Sequence, residues 1–191
     1  MRAPILAVLA LISLPVTTVH ALETTTPSTT PEPPSDPEPW IADFEGIEID
    51  LRDGWDGARA CLTDGVTTEC WDTEAEMLAA AGVSATAPPP SPSPAGSGFR
   101  RSSCSSFLRL YSGSYYNGSV LGLNTRFSVL NLSSYGFNNI TSSYRVGACN
   151  SAMWDGSAGG APLYGGNTSA GVSAGVMQSG WDNRISSVLI G

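Results

Sequence analysis

Lysine is absent from this chain; all nine basic residues are arginines. The single histidine, His20, lies in the apolar opening stretch, and none follows it. Cysteine is held to four residues, Cys61, Cys70, Cys104 and Cys149, with no C-x-x-C spacing. After residue 21 no apolar run reaches the ~20 residues that a bilayer-spanning helix needs. Each absence excludes a class of function. Once the opening stretch is removed, a Ser–His or Cys–His nucleophile pair, a histidine general base and a histidine-ligated zinc are all unavailable. Zinc held by cysteine alone is disfavoured by the spacing. A protein that is not an enzyme is the expectation.

Residues 1–21 read as a secretory signal peptide. Arg2 is followed by an apolar run through Val16, and Val19-His20-Ala21 offers a small-x-small cleavage site. Pro4 and Pro15 interrupt a run already short for a membrane anchor. The expected product is secreted and extracellular, with no membrane contact after signal removal. Four cysteines in an exported chain favour two disulfides. Cys61 and Cys70 flank LTDGVTTE, whose Asp64-Gly65 is a turn signal, so a hairpin there sets the two thiols opposite one another. Of the three possible pairings this favours Cys61–Cys70 with Cys104–Cys149.

The net charge of −8 conceals two unlike halves. Residues 23–87 hold fifteen acids against Arg52 and Arg59, a balance of −13. Residues 99–191 hold six arginines against Asp155 and Asp182, a balance of +4. Such an acidic arm either docks on the basic half by charge or stays solvated. Arg100-Arg101 is an isolated pair, so a nucleic-acid partner is not expected. Arginine in place of lysine, with abundant Ala, Gly and Ser, resembles the codon usage of a high-GC bacterium.

Composition divides the chain further. Residues 22–39, containing TTTPSTTPEPPSDPEP, carry too few apolar groups to fold and read as an acidic stalk. Residues 40–82 read as a small α+β module stapled by a disulfide. IEIDL (47–51) alternates like a strand, 59–63 and 68–72 form the hairpin, and Thr73-Glu74-Ala75-Glu76 is a capping box opening a helix that Gly82 ends. Residues 83–98 are a Pro/Ser linker. Residues 99–191 are all-β in pattern: LRLY, SVLGL, FSVLNL, SYRVG and SVLIG are strand-sized and separated by turn residues.

Within this last block the chain repeats itself. FNNITSSYRV (137–146) and WDNRISSVLI (181–190) share an aromatic residue, two amide or carboxyl side chains, two spacers and a Ser-Ser pair. A repeat at this spacing implies two similar units of about four strands each. Asn138-Asn139-Ile140-Thr141-Ser142-Ser143 and Asp182-Asn183-Arg184-Ile185-Ser186-Ser187 resemble the calcium motif of the βγ-crystallin family, N/D-N/D-x-x-S/T-S. YSGSYYNG (111–118) is similar to that family's aromatic-x4-aromatic-x-Gly hairpin. The resemblance covers about half of the chain, and also brings secreted actinobacterial members of the family into view.

The resemblance implies a double Greek-key βγ-crystallin-like sandwich and a bound calcium. Calcium takes six to eight oxygens in flexible geometry, which adjacent amides, main-chain carbonyls and a hydroxyl supply. The family shares each site between its two repeats. Carried onto this chain, that pairs Asn139 with Ser186 and Asn183 with Ser142. Asn138 and Asp182 support the loops, and carbonyls at Ile140 and Arg184 add oxygens. Two departures stand out. Only Asp182 among the motif positions is a carboxylate, which implies affinity of about 0.1–1 mM. The segment AMWDGSAGGAPLYGG lacks a clean hairpin signature, because Gly159 stands five residues after Trp154 where an aromatic belongs.

The leading expectation is therefore a secreted, monomeric calcium-binding protein with a structural or binding role. Its partners would be calcium ions, and a secreted protease or a cell-wall component. A peptidase inhibitor of the same fold is the second class, although the glycine-rich run 158–175 reads as too loose for an inhibitory loop. A killer-toxin-like antimicrobial protein is the third.

Overall fold

The computed structural model describes residues 40–83 and 106–191. The signal peptide, the stalk, most of the Pro/Ser linker and Cys104 lie outside the described residues. Strands β1 (Ile41–Phe44) and β2 (Ile47–Asp50) form an antiparallel hairpin. Strands β3 (Ala60–Thr63) and β4 (Thr68–Trp71) form a second, with Cys61 and Cys70 directly opposite and disulfide-bonded, Cα–Cα 4.1 Å. The Asp64 carboxylate closes the turn by accepting from the N–H groups of Val66 at 2.9 Å and Thr67 at 2.8 Å. Helix α1 (Glu74–Ala80) opens on the expected capping box, with Thr73 and Glu76 each satisfying the other's backbone donor. Cys149 is also disulfide-bonded.

The remaining strands are β5 (Leu108–Tyr111), β6 (Val120–Leu123), β7 (Val129–Asn131), β8 (Ser143–Arg145), β9 (Ser151–Trp154), β10 (Ser173–Ala174) and β11 (Ser187–Ile190). Their pairing follows the repeat. In the first unit β5, β6 and β8 lie in one sheet while β7 crosses to the other. In the second, β9 and β11 lie with β7, an isolated bridge joins Leu163 to Trp154, and β10 crosses back to β8. Each unit thus lends its third strand to its neighbour's sheet. This is the expected all-β double Greek key. Leu110, Leu121, Leu123, Phe137, Met153, Ile185 and Val188, all fully buried, fill the space between the sheets. Burying a side chain of that size stabilises by about 1.5–3 kcal/mol.

The acidic segment does not meet the C-terminal part through charge alone. Strand β3 pairs in parallel with β6, Ala60 opposite Val120 and Leu62 opposite Gly122, so one eight-stranded sheet runs β10-β8-β5-β6-β3-β4-β1-β2. On its outer face Met77 and Leu78 of α1 pack against Ala60, Phe107, Tyr111 and Val120. Glu74 adds an ion pair to Arg109 at 2.7 Å and accepts from the Tyr111 hydroxyl at 2.6 Å. The physical cause is the edge of β6, which needs a partner for its ladder groups. Among the described residues, no helix is long and apolar enough to cross a membrane.

Candidate functional site

The repeated clusters form two corners that grip one another. Asn139 and Asn183 both adopt the left-handed conformation, φ 57° and 56°, which asparagine tolerates better than most residues. That twist turns each backbone N–H across the pseudo-twofold: Asn139 donates to the Ile185 carbonyl at 2.9 Å, Asn183 to the Thr141 carbonyl at 3.0 Å. The side chains repeat the exchange. The Ser186 hydroxyl donates to Asn139 Oδ1 at 2.8 Å, and the Ser142 hydroxyl to Asn183 Oδ1 at 3.3 Å. Both serines are buried, whereas Asn138, Asn139, Asp182, Asn183 and Arg184 are exposed. The four residues expected to pair across the repeats are therefore the four that do.

The second serine of each pair works within its own unit. Ser143 donates to the Gly113 carbonyl at 2.6 Å and accepts from the Tyr116 N–H at 3.0 Å. Ser187 donates to the Gly156 carbonyl at 2.6 Å and accepts from the Gly159 N–H at 3.0 Å. Each serine clamps a folded hairpin against its strand. The hairpin at 154–161, which lacks the aromatic signature, nevertheless follows the same path as that at 111–118. Ala158 (φ 52°) and Gly159 (φ 78°) stand where Tyr115 (φ 56°) and Tyr116 (φ 64°) stand in the first. Sequence reading missed these clamps; their signal was the second hydroxyl of the doubled Ser-Ser.

Around the corners the charges are few and mostly tied. Arg184 donates through Nε to Asp155 Oδ2 at 3.1 Å and through Nη1 to the Gly180 carbonyl at 2.9 Å, and lies over the Trp181 ring. Asn183 Nδ2 makes a long contact to Asp182 Oδ2, 3.5 Å. Ile140 is 36% exposed at the other corner. Thr141, where the second copy has Ile185, buries a hydroxyl that has no hydrogen-bond partner. Among the described residues, no group of three or more His, Cys, Asp or Glu side chains is placed to hold a metal ion. The crossed corners instead offer amide and hydroxyl oxygens in close pairs, a donor set suited to a hard cation and not to zinc or copper.

Other readings resolve differently. Of the three tyrosines of the first hairpin, Tyr111 is buried, Tyr116 stacks edge-on to it beneath Arg145, and only Tyr115 is strongly exposed. Burial, then the hydrogen bond to Glu74, pushes the Tyr111 phenol far above its ordinary range. Burial, then the hydrogen bond with Tyr164, does the same to Tyr144. The run 158–175 is less loose than its glycines suggest. Tyr164 N–H bonds to Met153 O at 2.8 Å, Ala170 N–H to Asn150 Oδ1 at 2.9 Å, and Asn167 O receives the Tyr144 hydroxyl at 2.8 Å. Asp50 is ion-paired to Arg52, while Glu48 and Asp43 face each other across the β1–β2 hairpin.

The chain matches no family model and no curated protein. Among solved structures, its C-terminal part is similar in fold to βγ-crystallin domains. A βγ-crystallin from Ciona intestinalis is 23% identical over 44% of this chain and 98% of its own, TM-score 0.38. A βγ-crystallin domain from Flavobacterium johnsoniae is 21% identical over 44% and 92%, TM-score 0.38. One from Clostridium beijerinckii is 16% identical over 44% and 95%, TM-score 0.37.

Proposed function

We propose that the crossed corners bind calcium and that the protein is an exported, non-catalytic structural or binding protein. One observation carries the reading: Asn139 with Ser186, and Asn183 with Ser142, present side-chain oxygens 2.8 and 3.3 Å apart. Neighbouring oxygens in a calcium shell of radius 2.3–2.6 Å lie about 2.8–3.5 Å apart, so the two spacings suit such a shell. Asn139 Oδ1 and Ser186 Oγ would serve one ion, Asn183 Oδ1 and Ser142 Oγ a second, with carbonyls of Ile140 and Arg184 beside them. The ion would replace a hydrogen bond in each pair by two metal–oxygen bonds and tie the repeats together. With amides and hydroxyls as donors, the expected dissociation constant is about 0.1–1 mM.

Calorimetric titration of the chain with calcium tests this. Binding in that range, abolished by Ser142→Ala combined with Ser186→Ala, is the expected result. Calcium at ten times the dissociation constant should add about 1.4 kcal/mol at each of the two sites and raise the melting temperature by about 6–11 °C in all. No heat and no thermal shift at 10 mM calcium would overturn the proposal.

A further inference from the structure

The two corners are braced by different parts of the chain. Ahead of the first, Trp55 donates its Nε1–H to the Tyr135 carbonyl at 2.9 Å, and its ring lies 5.5 Å from that of the fully buried Phe137. Between those residues, Gly136 (φ +62°) presses so close to the N-terminal segment that an added Cβ would sit 2.2 Å from the Leu51 carbonyl oxygen. Leu51 is itself fully buried. Residues 51–55 thus hold 135–137 at three successive positions, and Asn138 and Asn139 follow at once.

The second corner has no brace from the N-terminal segment; it is held within its own repeat by Arg184, which donates to the Gly180 carbonyl at 2.9 Å and lies over Trp181. Gly180 (φ +79°) occupies the place of Gly136, and a Cβ there would meet nothing within 4 Å. Trp181, in the place of Phe137, packs on Tyr164 of its own repeat with centroids 5.2 Å apart. The contact Ser186–Asn139 is 2.8 Å and Ser142–Asn183 is 3.3 Å.

We infer that Trp55 is a positioning residue for the Asn139–Ser186 oxygen pair, so that the N-terminal segment makes the two cation sites unequal and the braced one the tighter. The effect on affinity rests on the calcium reading above; the bracing of the corner does not. The hydrogen bond of Trp55 goes to Tyr135, and those of Asn139 join it to Ser186 and Ile185. Trp55 fixes the entry of the corner, as a supporting partner fixes a metal ligand, and loss of such partners costs metal sites about 10- to 100-fold. Linkage makes the coupling mutual: an ion at that corner would tighten the seat of Trp55.

The test compares the full chain with Trp55→Ala and Trp55→Phe by amide hydrogen exchange, and by calcium chloride titration followed at each corner by NMR. The amides to watch are Asn139, bonded to Ile185, and Asn183, bonded to Thr141. Trp55→Ala should speed exchange at Asn139 about tenfold and weaken calcium at the Asn139–Ser186 pair about tenfold, leaving Asn183 unchanged. Trp55→Phe keeps the ring contact without the Nε1–H donor and should recover part of both. Equal changes at the two corners, or none, would overturn the inference. If the unaltered chain binds no calcium, the calcium reading falls alone, because the exchange ratio between Asn139 and Asn183 still decides the role of Trp55.

Discussion

The hairpins at 111–118 and 154–161 follow one path with almost no side chains in common. The first is built of aromatics: Tyr111 and Tyr116 meet edge to face at 5.5 Å, and Arg145 caps Tyr116 at 3.7 Å. The second replaces Tyr115 and Tyr116 with Ala158 and Gly159. Common to both are the left-handed pair of residues, a Gly-Ser entry and the serine clamp. The geometry therefore belongs to the backbone and to Ser143 or Ser187, while the Tyr111–Tyr116 pair adds packing to one copy only.

Alkali should separate the two most sharply. Burial raises the phenols of Tyr111, Tyr135 and Tyr144, all in the first repeat. Their folded values lie above the unfolded one, so the stability they contribute is fully present below pH ~10 and falls as pH rises beyond it, by at most about 1.4 kcal/mol per pH unit for each phenol and only until its folded value is reached. Tyrosinate absorbance should appear together with loss of near-ultraviolet circular dichroism. Hydrogen exchange just below that transition should rise first at 111–118, since Trp154 cannot ionise. First opening at 154–161 would break the comparison.

Removing the clamps comes next. Ser187→Ala should cost about 2–3 kcal/mol in urea unfolding and Ser143→Ala about 1–2, because each strands a carbonyl and an N–H and only the first hairpin retains a stacked aromatic pair. Equal losses would show that the aromatics contribute nothing to hairpin stability. Replacing Cys61 and Cys70 together by Ala should cost about 2–3 kcal/mol through the short closed loop, at neither hairpin in particular. The smallest effect is a gain. Thr141→Val removes a buried hydroxyl that has no partner and should stabilise by about 1 kcal/mol, bringing the first corner closer to the second, where Ile185 stands.

How much of this the residues announce depends on the range of the interaction. The β3–β4 hairpin, its disulfide register and the capping box are local, and each is legible from a few neighbouring side chains. The pairing of Asn139 with Ser186 and Asn183 with Ser142 spans over forty residues, yet is legible because the motif is written twice and a resemblance supplies the crossing. The parallel contact of β3 with β6 is not, since both strands are short and nothing in ACLT specifies VLGL as its neighbour. Charge was a poor guide to that joint, where one ion pair accompanies an apolar cluster. The second hairpin was obscured for the opposite reason: an aromatic signature stands for a turn that Ala158 and Gly159 make unaided. Strands β9 and β10 were unread because SAMW and SA carry no alternation.

The continuous sheet has a practical consequence. Trimming the chain to its repeats alone, from Ser106 onward, would strip β6 of its parallel neighbour and leave a bare row of donors and acceptors. Such a fragment should self-associate through that margin, which analytical ultracentrifugation would register as a concentration-dependent rise in mass. Any property measured on it would then describe an aggregate's chemistry more than that of the parent molecule.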